Sequence, residues 1–189
     1  MGGFETIGPI NSNAAWTRRH NGLVVVTADR HKPDTRKHFE KFGAHCVEGT
    51  WGAEFVDGLE VEADDVVLFK GAERDEDAFS GFDARGDNGL TLETLLTPGP
   101  GERVAAVIDG WDTEYCIKAT GLGALALSAR LASGSDNREL SVFVVSDAIA
   151  AADIIPGDGQ RAIEEMLEAG ARFITSSELA SGQVIELRS

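Results

Sequence analysis

Short runs of apolar, often β-branched residues recur along the chain between longer amphipathic or alanine-rich stretches. Leu23 to Thr27, Asp65 to Phe69, Arg103 to Ile108 and Leu140 to Val145 each read as a buried strand. Ala14 to His20, Leu90 to Leu96, Tyr115 to Ala132 and Gln160 to Ala169 read as helices, and Ala171 to Ile174 as a weak last strand before an irregular tail. Strands apolar on both faces that alternate with helices predict a parallel sheet covered on both sides, an α/β/α three-layer arrangement. Ligands in such sheets gather at the carboxyl ends of the strands. Thr97 to Gly101 is a Gly/Pro turn, and Glu48 to Gly58 and Gly81 to Gly89 are glycine-punctuated loops. No repeat interrupts the pattern, so a single domain over 1–189 is expected.

Composition narrows the partners. Of 189 residues, 42% are hydrophobic and 7% aromatic, as in a folded globular protein. A formal net charge of −15 argues against nucleic acid and against anionic membrane surfaces, both of which would repel it. No apolar run approaches the roughly 20 residues that span a bilayer. Met1 to Asn11 carry neither a basic region nor an apolar stretch, so no secretory leader is read there. Two cysteines in unrelated contexts, Cys46 and Cys116, fit reduced thiols in a cytoplasm better than a disulfide framework.

Three groups of residues could carry chemistry. Cys116 follows the strand Arg103 to Ile108 by a short loop and opens a long apolar helix. The positive end of that helix lowers a thiol pKa, and its free amides could hold an oxyanion. Position alone fits a buried structural cysteine better, since free cysteines are commonly buried. Lys70 ends the strand Asp65 to Phe69, where a cation would point into the same crevice. Asp29 and His31 follow the first strand on alternate positions, and His45 comes fourteen residues after His31. One carboxylate and two imidazoles suit Zn²⁺, Mn²⁺ or Fe²⁺. His38 competes as a ligand, whereas His20 reads as an ordinary helix residue.

Three separated segments resemble the nicotinamidase branch of the isochorismatase-like cysteine hydrolases. Thr27-Ala28-Asp29-Arg30-His31 with His45 to Phe55 is similar to the family's T-x-D-x-H and H-C-V-Q-G-T-P-G-A-E-F. Lys70-Gly71 with Asp77 to Phe82 forms the second segment. Gly110 to Thr120 is similar to G-x-x-T-[DE]-Y-C-V-x-A-T. The resemblance implies an isochorismatase-like, Rossmann-like fold and an amidohydrolase that converts nicotinamide to nicotinate and ammonia, within NAD salvage. It implies Cys116 as nucleophile, Lys70 as a catalytic lysine, and the amides of Asp112 and Cys116 as oxyanion hole, with a cis peptide between Trp111 and Asp112. Asp29, His31 and His45 would hold a divalent metal, zinc foremost, that orients the pyridine nitrogen. Phe42, Phe79 and Trp111 would contact the substrate. The expected partner is a small carboxamide, and a homo-oligomer is compatible with the sequence.

The chain departs from the family pattern in places. The family's third catalytic member, an aspartate ending a first strand in a V-D-x-Q-x-D-F type motif, has no counterpart here, and the chain opens Met1-Gly2-Gly3-Phe4. The fold is therefore expected to lack its usual first strand, and loss of an acid/base costs roughly 10²–10⁴ in rate. A start placed one strand late is the favoured explanation; a truncated chain and a separately supplied strand are the others. Asp112 stands where a small apolar residue is usual, Glu48 replaces Gln, and Trp51 replaces Pro. Two further readings stay open: a homologue that binds ligand or metal without turnover, and a hydrolase of another carboxamide or N-carbamoyl compound.

Overall fold

The computed structural model describes residues 3–73 and 77–183. Part of the acidic run Glu73 to Asp77 and the end of the expected irregular tail lie outside the described residues. In chain order the regular elements are α1 (Gly3–Arg19), β1 (Val25–Asp29), α2 (Lys37–Phe42), β2 (Val66–Lys70), α3 (Leu92–Leu96), β3 (Arg103–Trp111), α4 (Lys118–Ala132), β4 (Glu139–Ala150), α5 (Asp158–Glu168), β5 (Arg172–Ile174) and α6 (Ser176–Ser181). A π-helical turn, Thr113–Ile117, joins β3 to α4. Every strand pairing is parallel. Among the described residues, no helix is long and apolar enough to cross a membrane.

The alternation along β4 shows how the layers form. Phe143 and Val145 pack with Trp16 of α1 and Leu179 of α6 on one face. Val142 packs with Ala124 and Leu127 of α4 on the other, and Val144 with Met166 of α5. Successive side chains of a strand point to opposite faces, so one apolar run serves two helical layers. Phe143, Val144, Val145 and Met166 are fully buried. Each such side chain contributes about 1.5–3 kcal/mol relative to exposure.

The sheet is in two parts. β1 pairs with β2, and β3, β4 and β5 form a second sheet in that order. No ladder among the described residues joins β1 to β3. Helix α1 spans the two parts. Trp16 and the partly buried Ile10 pack into the β4 face. Asn11 Nδ2 donates to Gly58 O at 2.8 Å and its Oδ1 accepts from Glu60 N at 3.0 Å, both in the loop before β2. Arg18 Nε donates to Asp65 Oδ1 at 3.0 Å, and a second, shorter bond joins Nη2 to Oδ2. These bonds hold Asp65 in its ionised form, its carboxyl lowered first by the Arg18 hydrogen bonds.

Helix α1 also meets β3 through a carboxyl group. Asn13 Nδ2 donates to Asp109 Oδ2 at 3.0 Å. Burial pushes the Asp109 carboxyl from an ordinary 3.8 to about 6, and the Asn13 bond offsets only part of that. The folded chain therefore favours the protonated acid. That contribution to stability is full below 3.8 and is lost as pH rises through about 6. Asp109→Asn is expected to raise the urea midpoint at about pH 8 by the equivalent of about 2–3 kcal/mol, and to change little at about pH 4. Equal effects at both pH values would show that ionisation of this group is not the cause.

Candidate active site and metal-ligand cluster

Register puts the first two functional groups side by side. Asp29 and Lys70 are partners at the carboxyl ends of β1 and β2. A short hydrogen bond joins Lys70 Nζ to Asp29 Oδ1, and Nζ also lies 3.5 Å from Cys116 Sγ. Lys70 is only 4% exposed. Burial opposes its charge, but Cys116, Asp29 and their hydrogen bonds outweigh burial and raise its pKa. Lys70 is a fixed ammonium between a carboxylate and a sulfur.

Cys116 stands on the π-helical turn rather than in an α-helix. Asp112 precedes that turn in the left-handed region, at φ 61°, ψ 60°, and its carbonyl accepts from Tyr115 N at 2.9 Å and Ile117 N at 3.3 Å. The peptide from Trp111 to Asp112 is trans, against the cis bond that the family likeness implied. The expectation of a lowered thiol pKa also fails. Burial, followed by the opposing pull of Lys70, leaves the Cys116 thiol pushed up to about 11. Desolvation of the thiolate, with Asp29 and Asp112 beside it, thus exceeds what Lys70 returns. Buried Glu114 secures the turn from below, accepting from Ala152 N at 3.2 Å and Asp153 N at 2.5 Å.

Three imidazoles converge beside this turn. A parallel bridge between His31 and Val47 brings the segment of His45 against His31. Helix α2 contributes His38, which is 2% exposed. One ring nitrogen or other from each of His31, His38 and His45 lies within 4.8 Å of those of the other two. Each Nδ1 faces an oxygen: His31 to Gly71 O at 3.1 Å, His38 to Asp77 Oδ1 at 3.0 Å, and His45 to Gly43 O at 2.9 Å. Those acceptors place the proton on Nδ1 and leave Nε2 lone pairs to meet, the outer-shell arrangement that metal-ligating histidines use. His38 Nε2 and His45 Nε2 are 3.3 Å apart, the separation of two tetrahedral ligands each about 2.0 Å from an ion. Burial, then His38, lowers the His31 pKa and favours the neutral ligand form. The donor set fits a divalent ion of the zinc kind.

Gly71 makes the cluster fit. It has φ +69°, and a Cβ there would stand 2.4 Å from His31 Cε1. A side chain at 71 would displace the ring.

Among the expected site residues, Cys116, Phe42, Phe79, His31, His45, Asp29 and Asp112 line one cavity of about 150 Å³ with His38, Asp77, Tyr115, Ala152 and Ile154. Phe42, Phe79 and Tyr115 form its aromatic wall, with ring centroids 5.4–5.8 Å apart. Asp29 lines this cavity with its carboxylate bonded to Lys70, and the imidazoles whose ring nitrogens lie within 4.8 Å of one another are those of His31, His38 and His45. Trp111 turns away from this cavity, donating from Nε1 to Gly3 O at 2.9 Å and Thr6 Oγ1 at 3.0 Å. It lines a neighbouring open cavity of about 500 Å³ with Phe4, Glu5 and Asp112. The sequence assigns no separate role to Tyr115 or Asp77, though Tyr115 adjoins Cys116 and Asp77 opens the Asp77 to Phe82 segment. The remaining departures are peripheral: Trp51 is exposed, and Glu48 pairs with Lys32 at 2.8 Å.

Comparison with known proteins agrees with this architecture. The isochorismatase domain model matches residues 3–178. The nicotinamidase/pyrazinamidase of Mycobacterium tuberculosis is 31% identical over 163 residues, covering 82% of this chain and 77% of that protein. The nicotinamidase of Escherichia coli is 31% identical over 193 residues, covering 92% and 84%. Among solved structures, the pyrazinamidase of Pyrococcus horikoshii in complex with zinc matches at a TM-score of 0.71 and 31% identity, over 93% of this chain and 87% of that one. N-carbamoylsarcosine amidase of Thermoplasma acidophilum matches at 0.64 and 27%, over 92% and 84%. By its matched length and its relatives, the chain belongs to the isochorismatase family.

Proposed function

We propose that the protein is a cysteine amidohydrolase that converts nicotinamide to nicotinate and ammonia, a reaction that would feed NAD salvage. The observation that carries this reading is the 3.5 Å approach of the Lys70 ammonium to Cys116 Sγ in an aromatic-walled cavity beside three converging imidazoles. Phe42, Phe79 and Tyr115 suit a flat ring, and a cavity of about 150 Å³ suits a ligand smaller than most drugs. Cys116 Sγ attacks the carboxamide carbon, Lys70 holds the sulfur as thiolate, and the amides of Asp112 and Cys116 receive the oxyanion. Ammonia leaves a thioester, which water then hydrolyses. His31, His38 and His45 would hold the ion, with Gly71, Asp77 and Gly43 fixing their tautomers. Zinc, or else manganese or iron, would supply there a Lewis-acidic anchor for the ring nitrogen. The relatives named nicotinamidase and the zinc-bound neighbour support this choice.

A second reading, an N-carbamoyl amine as substrate, is favoured by the likeness to N-carbamoylsarcosine amidase. Both substrates yield ammonia, so paired assays separate them. Nicotinamide is expected to release ammonia under enzyme control, and Cys116→Ala is expected to reduce the release to the level of buffer. Equal rates for the two proteins would contradict the mechanism. Gly71→Ala is expected to weaken zinc binding by about 10- to 100-fold in a competition titration, as loss of an outer-shell constraint does elsewhere. Unchanged zinc affinity in a folded variant would count against the three-histidine site.

A further inference from the structure

We infer that Ile154, at the tip of the loop between β4 and α5, is a specificity-determining residue: its side chain covers the ring of a carboxamide bound in the Cys116 cavity. This role rests on the amidohydrolase reading and deepens it, because it names what the site selects in the part of the substrate that does not react.

The lining of the cavity divides by chemistry. Imidazoles, carboxylates and the thiol supply its polar part; Phe42, Phe79, Tyr115, Ala152 and Ile154 supply its apolar part. The three aromatic rings meet one another and form a wall that is complete without a ligand. Ile154 differs from them. It is 69% exposed although it lines the cavity, and among the described residues it joins none of the apolar clusters of the core. Singly exposed isoleucines are common on protein surfaces. What sets this one apart is its place beside Cys116 and the loop that holds it there.

That loop, residues 151–157, is tied at both ends. Buried Glu114, two residues before Cys116, accepts from Ala152 N at 3.2 Å and from Asp153 N at 2.5 Å. Asp153 is left-handed, at φ 50°, and turns the chain between Ala152 and Ile154, both of which line the cavity. Its Oδ1 accepts from Gly157 N at 2.9 Å and Gly159 N at 3.3 Å. A Cβ at Gly159 would stand 2.5 Å from Ala151 Cβ, so the first turn of α5 lies directly on the start of the loop. Backbone amides on both sides of Ile154 are thus bound by two carboxylates, and one of those carboxylates belongs to the turn that carries Cys116. The isoleucine keeps a fixed place relative to the sulfur, which lowers the entropy lost when a ligand engages it. Ile155, next along, is 58% exposed and lies outside the cavity lining.

An apolar side chain that faces both a cavity and water favours whatever apolar surface enters, in proportion to the area covered. An aromatic ring offers such a face, and a ring-free amide offers little of one. The site therefore prefers carboxamides carried on a flat ring. Ile154 touches neither the carbonyl nor the leaving nitrogen, so its contact is the same in ground state and transition state. Binding of that kind is read in KM and leaves kcat alone.

Ile154→Ser tests this. It is expected to raise KM for nicotinamide by roughly 3- to 10-fold, with kcat and the thermal midpoint unchanged. Ile154→Val, which keeps most of the apolar surface, should fall between the two proteins. Ile155→Ser removes the same side chain from the same loop outside the cavity, and its KM should stay within about twofold. N-carbamoylsarcosine, an amide without a ring, should show no change with Ile154→Ser; an equal loss for both compounds would reveal general damage to the loop and overturn the inference. Where Ile154→Ser does not fold, Ile154→Ala carries the same expectation. A KM within about twofold of an active unsubstituted protein overturns the role of Ile154 and leaves the amidohydrolase reading standing. Calorimetric titration of nicotinamide into zinc-loaded Cys116→Ala needs no turnover and separates the two ideas. Weaker binding when Ile154→Ser is added to that variant supports the contact even if the unsubstituted protein releases no ammonia, a result that would overturn the amidohydrolase reading alone. Equal binding overturns the contact.

Discussion

A single buried ammonium ties the chemistry of this fold together. Lys70 ends β2, its carboxylate partner Asp29 ends β1, and the sulfur it touches follows β3 in the other sheet. Burying a charge costs several kcal/mol unless partners compensate it. Here the compensation comes from both parts of a divided sheet. The contact therefore has two consequences: it aligns the carboxyl ends of strands that no ladder among the described residues connects, and it places a fixed positive charge beside the Cys116 sulfur. Helix α1 supports the same alignment from below, packing on β4 with one face and bonding the loop before β2 with Asn11 and Arg18.

The three-histidine group reads as a site because of what lies behind it. Imidazoles crowd together in many proteins, yet each of these has its outer nitrogen fixed by an oxygen and its inner nitrogen turned inward. Gly71 serves two parts at once. It directly follows Lys70, and its carbonyl and missing side chain set the His31 ring. The Lys70–Cys116 contact and the three-histidine cluster thus share one turn of backbone. A shift of β2 would disturb both.

Much of this was legible in the sequence. The five strands show as apolar runs because both faces are covered, and Cys116 and Lys70 fall at strand ends where ligands gather. Strand ends moved where small or polar residues continue an extended path, as in Ser146 to Ala150 of β4. The first half of α1 was hidden by Gly8, Pro9 and three polar residues, Asn11, Ser12 and Asn13; packing on β4 overrides their weak propensity. Helix α6 carried a readable signal, since Thr175 and Glu178 form a capping box, but its six residues are too short for periodicity to register. His38 was legible as a competing ligand, but its setting and that of Trp111 were not. His38 enters through α2 and its partner Asp77, 39 positions away, and Trp111 turns to Gly3 and Thr6 across more than a hundred positions.

The whole account stands on Cys116 sulfur bonding to the substrate carbon under the Lys70 ammonium. Acid quenching of a reaction with carbonyl-labelled nicotinamide, followed by peptide mapping, tests that bond directly. The account predicts a nicotinoyl thioester on the peptide that holds Cys116, absent from Cys46. Ammonia release with the label on no cysteine, or on Cys46 alone, would contradict it.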